Sequence, residues 1–324
     1  MIRINASVVG LVFSCLFWGI SFPLMQMAID GLARGAGWSD RSMLQDLALR
    51  ATYNGWRFVV ATVLYGVLTF KKQRGYRRAD VRGGVVVGLF FTAGLFFQLL
   101  GLRYALPSVS AVLTSMVVVF TPLAQYFLIR RPVGASTWQA VVIALVGVCI
   151  LSLPNPAAAT HLTFAVAPPV PWLGEAATLV ASVLFTGQVL SVDHFGGDAD
   201  PTRLTFVMFV VAAVTSLSVG LALGGGELYA PATLTGVLGD AVFVRVTLAI
   251  VALSSVAAFH LMNASQPHVS PAVASVVYCM EPVFATMWSV LFRTESITML
   301  TFVGGGLVIL AMLRLARTHA YKLV

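Results

Sequence analysis

A sixteen-residue stretch occurs twice in this chain and constrains the fold more than any other feature. PSVSAVLTSMVVVFTP, Pro107 to Pro122, returns 160 residues later as PHVSPAVASVVYCMEP, Pro267 to Pro282. Six of the sixteen positions are identical without a gap: Pro107/Pro267, Val109/Val269, Ser110/Ser270, Ser115/Ser275, Val117/Val277 and Pro122/Pro282. Each copy enters an apolar helix after one proline and meets a second fifteen residues on. An internal repeat of this period bears on the whole architecture before any local pattern is weighed. In the second copy the residue before the inner proline is Glu281, an acid deep inside an apolar run.

The apolar runs decide the medium. The 324 residues are 59% hydrophobic and 10% charged, with a mean hydropathy of +0.92. Stretches of roughly 20 apolar residues span a bilayer, so the chain reads as an all-α polytopic membrane protein. Ten transmembrane helices are expected, near 5–29, 52–70, 84–103, 108–129, 137–153, 171–192, 203–223, 243–262, 271–292 and 297–315. The first is too long for a signal-peptide core and has no small-x-small cleavage site at its end, so it counts as a helix. The net charge of +8 does not point to nucleic acid. Six of the twenty basic residues lie in Lys71–Arg82, between two apolar segments, as a cytoplasmic loop would place them. Cys15, Cys149 and Cys279 stand alone inside apolar segments, which is neither a disulfide framework nor a metal-ligand spacing. No cofactor or metal is expected.

Loop charge sets the orientation. With the span-edge residues Arg103, Arg203 and Arg314 counted with their loops, the loops on the side of the termini hold thirteen Lys and Arg and the opposite loops five, so both termini are expected to be cytoplasmic. Five spans precede the midpoint and five follow it. An odd number per repeat makes the halves inverted, related by a pseudo-two-fold axis in the membrane plane, with substrate near the midplane between them. Residues 1–153 read as the first five-helix repeat, 154–170 as an outer connector, and 171–324 as the second five-helix repeat and cytoplasmic tail. The connector is proline-rich and holds no Lys or Arg. Asp30–Ala51 is long, mixed in charge and expected to be a surface segment with room for a short interfacial helix.

At this point the residues carry a family resemblance. Trp18-Gly19 in the first span, Trp56-Arg57-Phe58 followed by Ala61 in the second, the Thr121-Pro122 and Glu281-Pro282 pair, and Arg293-Thr-Glu295-Ser before the tenth all fit one pattern. In their order, spacing and duplication they resemble the drug/metabolite transporter superfamily, specifically its EamA-type ten-helix family, over about residues 8–315. One departure stands out. The family often carries an acid after the fourth span of a repeat, where Glu295 follows the ninth here, but the first half has Arg130-Arg131-Pro132.

Glu281 is about the eleventh residue of its span, which at roughly 1.5 Å per residue puts it near the bilayer centre. A carboxylate there is costly, so it should face the bundle interior or a wet cavity. Ala274, Tyr278, Glu281, Ala285 and Ser289 share one helix face, and Thr114, Val118, Thr121 and Gln125 share the matching face of the fourth span. Pro122 and Pro282 free the carbonyls of Val118 and Tyr278, making both prolines candidate hinges. The plainer reading is a protonated Glu281 hydrogen-bonded to a neighbouring helix, with the prolines merely bending the chain. Arg57 falls in the outer third of the second span. The resemblance implies that an arginine is common there, able to hold a substrate carboxylate; snorkelling to the outer headgroups or pairing with a loop acid is the alternative. His260, Asn263 and Gln266 are candidates for an inner gate or a satisfied interfacial cluster. Gln98 and Gln188 are lone intramembrane amides, suited to helix–helix hydrogen bonding or substrate contact. Among the aromatics, Trp18 and Trp288 are the favoured pocket residues, ahead of Phe22, Phe97, Tyr126, Phe206 and Phe259, most of which should face lipid or pack helices.

The expected function is a secondary transporter moving a small organic metabolite by alternating access. The resemblance implies an exporter of amino acids or related compounds. A gradient would drive it, because no ATP-binding signature is present. Broad efflux of lipophilic cations is the alternative within transport, and a non-transporting membrane sensor or assembly protein is the alternative on the same scaffold. An intramembrane enzyme is not expected: all eight Asp lie at span ends or in loops, and no HExxH occurs. The expected partners are a small-molecule substrate and the lipid bilayer, without nucleic acid and with a homodimer left open. The bacterial inner (plasma) membrane is the expected location.

Overall fold

The structure is a computed structural model that describes residues 6–38, 42–105, 107–153, 172–292 and 298–320. Among the described residues every regular element is helical. The expected connector 154–170 and the turn motif Arg293-Thr-Glu295-Ser lie outside them. Seven segments among the described residues are long and apolar enough to cross a membrane: Ala6–Gly35, Arg78–Leu102, Val109–Phe127, Leu173–Gly196, Pro201–Ala222, Ala241–His268 and Pro271–Leu291. Ala135–Leu151 and Met299–Leu315 are shorter apolar helices. Met43–Leu68 has the length but carries Asp46, Arg50, Asn54 and Arg57.

The first half contributes α1 (Ala6–Gly19), α2 (Ser21–Gly35), α3 (Met43–Leu68), α4 (Arg78–Tyr104), α5 (Pro107–Thr114), α6 (Val117–Phe127) and α7 (Ala135–Leu151). The second contributes α8 (Leu173–Gly196), α9 (Pro201–Ala222), α10 (Pro231–Gly239), α11 (Ala241–Ala249), a π-type segment Ile250–Ala257, α12 (Ala258–Ser265), α13 (Pro271–Tyr278), α14 (Met280–Leu291) and α15 (Met299–Ala320). Local chemistry sets several starts. Ser42 and Gln45 close a reciprocal capping box on α3, which satisfies two N–H groups that the helix cannot. Asp200 caps α9 ahead of Pro201, and Ser270 caps α13 ahead of Pro271. Most of the Asp30–Ala51 segment is therefore helix rather than surface loop: α2 runs on to Gly35 and α3 begins at Met43.

Several of the long apolar segments are interrupted. The first changes helix at Ile20, between α1 and α2. The stretch bearing Pro107 and Pro122 is interrupted at Ser115–Met116, where the Ser115 hydroxyl donates back to the Ala111 carbonyl at 2.9 Å. Its second copy is interrupted at Cys279, three residues before Pro282, whose missing N–H cannot continue the ladder. Pro122 instead lies inside α6, so the two copies share their prolines but not their bending points. The span Ala241–His268 widens into the π-type segment rather than breaking.

The halves interleave. α4 packs on α8 and α9, α3 on α9, α7 on α15, α6 on α13, and α1 on α12 and α14. The α7–α15 crossing is close enough to need glycine on both sides. A Cβ on Gly147 would lie 2.8 Å from the Gly304 carbonyl oxygen, and one on Gly304 would lie 2.7 Å from that of Gly147. The centre of the bundle is aromatic, with Phe91 and Phe259 4.8 Å apart and Phe58 and Phe91 5.4 Å apart, both edge to face.

Candidate functional site

The interruption at Cys279 gives α14 a helix N-terminus in mid-span, and Glu281 occupies its first turn, where a negative side chain is best placed. Glu281 is half-buried, and its carboxylate has no hydrogen bond or ion pair among the described residues. The end of α1 closes over it. The Trp18 ring lies 5.6 Å from that of Tyr278 and 5.3 Å from that of Phe259. The Trp18 indole N–H is buried without an acceptor. On one side of this corner the Cys15 thiol meets the Val277 carbonyl at 3.5 Å. On the other, the Trp288 indole donates to the Leu16 carbonyl at 2.8 Å, which ties this tryptophan to helix packing. Tyr278 donates to Gln266 at 2.6 Å, and Gln266 donates to the Val189 carbonyl at 2.7 Å. The corner thus brings together Trp18, Tyr278 and Glu281, with two polar groups still unpaired.

Arg57 sits near the middle of α3 because that helix starts well before residue 52. It is 4% exposed, so its side chain does not snorkel. Its Nε donates to Ser255 Oγ at 2.7 Å and its Nη2 to Ser254 Oγ at 3.1 Å, while its guanidinium lies 5.1 Å from the centre of the Phe58 ring. No carboxylate lies within ion-pair distance of it among the described residues.

The remaining candidates fall elsewhere. Thr121 is buried with an unpartnered hydroxyl. Gln125 is buried, and its Oε1 accepts the backbone N–H of Ala272 at 3.0 Å, joining α6 to the first turn of α13. Gln98 donates to Thr114 at 3.4 Å between α4 and α5. Gln188 reaches Met262 Sδ at 3.8 Å. His260 Nδ1 is 2.7 Å from Tyr65 Oη, and Asn263 donates to Thr205 at 2.9 Å. Phe22 and Tyr126 are exposed on the outside of the bundle. A crevice of about 260 Å³ between α3, α4 and α9 lies away from the Glu281 corner and is walled mainly by Leu89, Leu95, Phe96 and Phe97.

Sequence reasoning missed Ser254 and Ser255, and it missed Tyr65 as the partner of His260. The only signal for the serine pair is two adjacent hydroxyls inside the apolar run IVALSSVA.

An interleaved bundle of apolar helices, interrupted in mid-span and holding an unpaired acid at one interruption, has the build of an integral membrane transporter. The chain belongs to the EamA-like transporter family, which it matches over residues 5–153 and again over 172–316. A relative from Archaeoglobus fulgidus named as an uncharacterized transporter is 23% identical over 308 residues, 94% of this chain and 83% of that one. A solved crystal structure shares the fold with a TM-score of 0.64 over 98% of both chains, at 16% identity.

Proposed function

We propose that the protein is a secondary transporter, exporting small organic metabolites such as amino acids across a bacterial inner membrane by alternating access. The observation that carries this reading is Glu281, an unpaired acid at the mid-span interruption under Trp18 and Tyr278. A group that expensive at such a depth is explained by a solute or a proton that it serves. In this reading the carboxylate takes the ammonium group of the solute and the two rings cover it. The chain crosses ten times, as repeats 1–153 and 171–324 joined by the outer connector 154–170, with both termini cytoplasmic.

In that orientation α6 and α13 are the cytoplasmic halves of the fourth and ninth spans, and α5 and α14 the outer halves. The cytoplasmic halves pack together and share the Gln125–Ala272 hydrogen bond, whereas α5 and α14 make no comparable contact. The conformer is therefore closed toward the cytoplasm, with Gln125 as a latch between the repeats rather than a solute ligand. Loss of one such bond costs about 1 kcal/mol, roughly a fivefold shift between conformers. Gln125→Leu should accordingly raise the rate at which Cys279, buried beside the Glu281 corner, is labelled by an impermeant maleimide in inside-out vesicles, by about fivefold on the same scale. An unchanged rate removes the latch.

Counterflow tests the function itself. Liposomes holding the protein and loaded with a mixed amino-acid pool should accumulate labelled amino acid against that pool; accumulation of none would exclude this substrate class. Efflux of lipophilic cations is the second reading, favoured by the Trp18 and Tyr278 rings that meet at the Glu281 corner, with Phe259 against Trp18, and opposed by the cationic Arg57 in the same aromatic cluster. Labelled lipophilic cations form the next panel.

A further inference from the structure

We propose that Arg57, together with Ser254 of the π-type segment, forms an anion subsite that takes a carboxylate of the transported solute. The inference rests on the transporter reading for its biological meaning, but the site can be tested by binding alone.

The argument starts from what Arg57 lacks. A guanidinium carries five N–H donors and a charge that cannot be shed. Two of those donors are used, on Ser255 and Ser254, and both acceptors are neutral. The other three have no acceptor among the described residues, and no carboxylate balances the charge. A buried cation left in that condition is unfavourable unless something supplies the missing charge and acceptors.

The π-type segment shapes the other half of the site. Ser255 Oγ lies 3.5 Å from the Ile250 carbonyl, five residues back, in the register of the widened turn. Its proton is directed to that carbonyl, so Ser255 serves as a fixed acceptor for Arg57 Nε. Ser254 also accepts from Arg57, but its own proton has no acceptor among the described residues. Three guanidinium N–H groups and one hydroxyl are thus left without an acceptor among the described residues. π-type turns inside α-helices are frequent at functional sites, and this one sets two adjacent serines on a single arginine.

The chemistry of the ligand follows. One guanidinium neutralises one negative charge, so a singly charged anion fits and a phosphate dianion would leave charge buried. The planar fork of the guanidinium matches the two oxygens of a carboxylate. Phe58 lies under the guanidinium and touches Phe259, with ring centres 6.2 Å apart. Phe259 in turn touches Trp18 of the Glu281 corner. An anion subsite and an acid thus flank one aromatic core, an arrangement that suits a zwitterion.

The test is thermal unfolding of the full chain in detergent, with acetate and phenylacetate as probes beside acetamide and phenylacetamide, which keep the shape and lose the charge. Wild type should show a saturable rise in Tm with the carboxylates and none with the amides. Arg57→Gln should abolish the rise, Arg57→Lys should weaken it, and Ser254→Ala should raise the apparent Kd about 10-fold, the loss of one hydrogen bond to a charged group at the low end of its range. Ser254→Ala keeps the arginine, so the assignment stays open to refutation even where Arg57→Gln fails to fold. Equal stabilisation by the amides or by chloride, no stabilisation of wild type, or a carboxylate response unchanged in Ser254→Ala and Arg57→Lys overturns the subsite. Counterflow on the same preparation separates this failure from failure of the transport reading: exchange without carboxylate binding at Arg57 leaves a transporter whose Arg57 is structural.

Discussion

Glu281→Gln is expected to lower amino-acid counterflow roughly 10- to 150-fold and to make any remaining exchange independent of pH. Glutamine has the same shape but no charge for an ammonium group and no proton to exchange. A hydrogen bond to a charged group contributes about 1.5–3 kcal/mol, and each 1.4 kcal/mol is a factor of ten, which gives that range. Because the Glu281 carboxylate has no protein partner among the described residues, the substitution strands no buried donor. The fold should therefore survive, and the effect should appear in transport rather than in Tm. Exchange that keeps its rate and pH profile in the variant would leave a transporter but return Glu281 to a structural role.

Gly19→Val should act in the opposite way, through packing. The Cβ that valine adds would stand 2.8 Å from the Ala285 backbone nitrogen and 2.9 Å from the Phe284 carbonyl carbon, and neither backbone atom can step aside as a flexible side chain would. Overpacking of this kind costs about 1–3 kcal/mol. Here it would push the end of α1 off α14, where Trp288 holds the Leu16 carbonyl. The expected outcome is a lower Tm in detergent together with lost exchange, since Trp18 moves with the same helix end. A full-rate variant with an unchanged Tm would show that α1 and α14 do not approach this closely in the working protein.

What could be read in advance, and what could not, follows from which interactions leave a mark in one dimension. The duplicated proline stretch announced a two-part chain, and an acid inside an apolar run marked Glu281 because its cost is intrinsic to the residue. Trp18 was visible as part of a motif, but its contact with Phe259 joins residues far apart in the chain. Gln125 looked like a cavity residue because its face of the helix is partly polar; its actual partner is a backbone N–H on α13, and no residue type advertises that. Arg57 seemed to lie near the end of its span only because its polar neighbours concealed where α3 begins. Ser254 and Ser255 became a site through a widening of the helix, which neither composition nor period encodes.

The displaced bending points carry a kinetic consequence. If the two repeats bent at equivalent places, the inward and outward conformers would be near two-fold counterparts of each other and would hold solute almost equally well. With one bend at Ser115–Met116 and the other at Cys279, the two end states are different objects. The apparent KM measured from one face of the membrane should then differ from that measured from the other. Detailed balance allows this for uncoupled exchange only if Vmax changes in proportion, so that Vmax/KM is the same from both faces. The asymmetry would make the protein a better acceptor of solute on one side and a faster one on the other, without making it a pump.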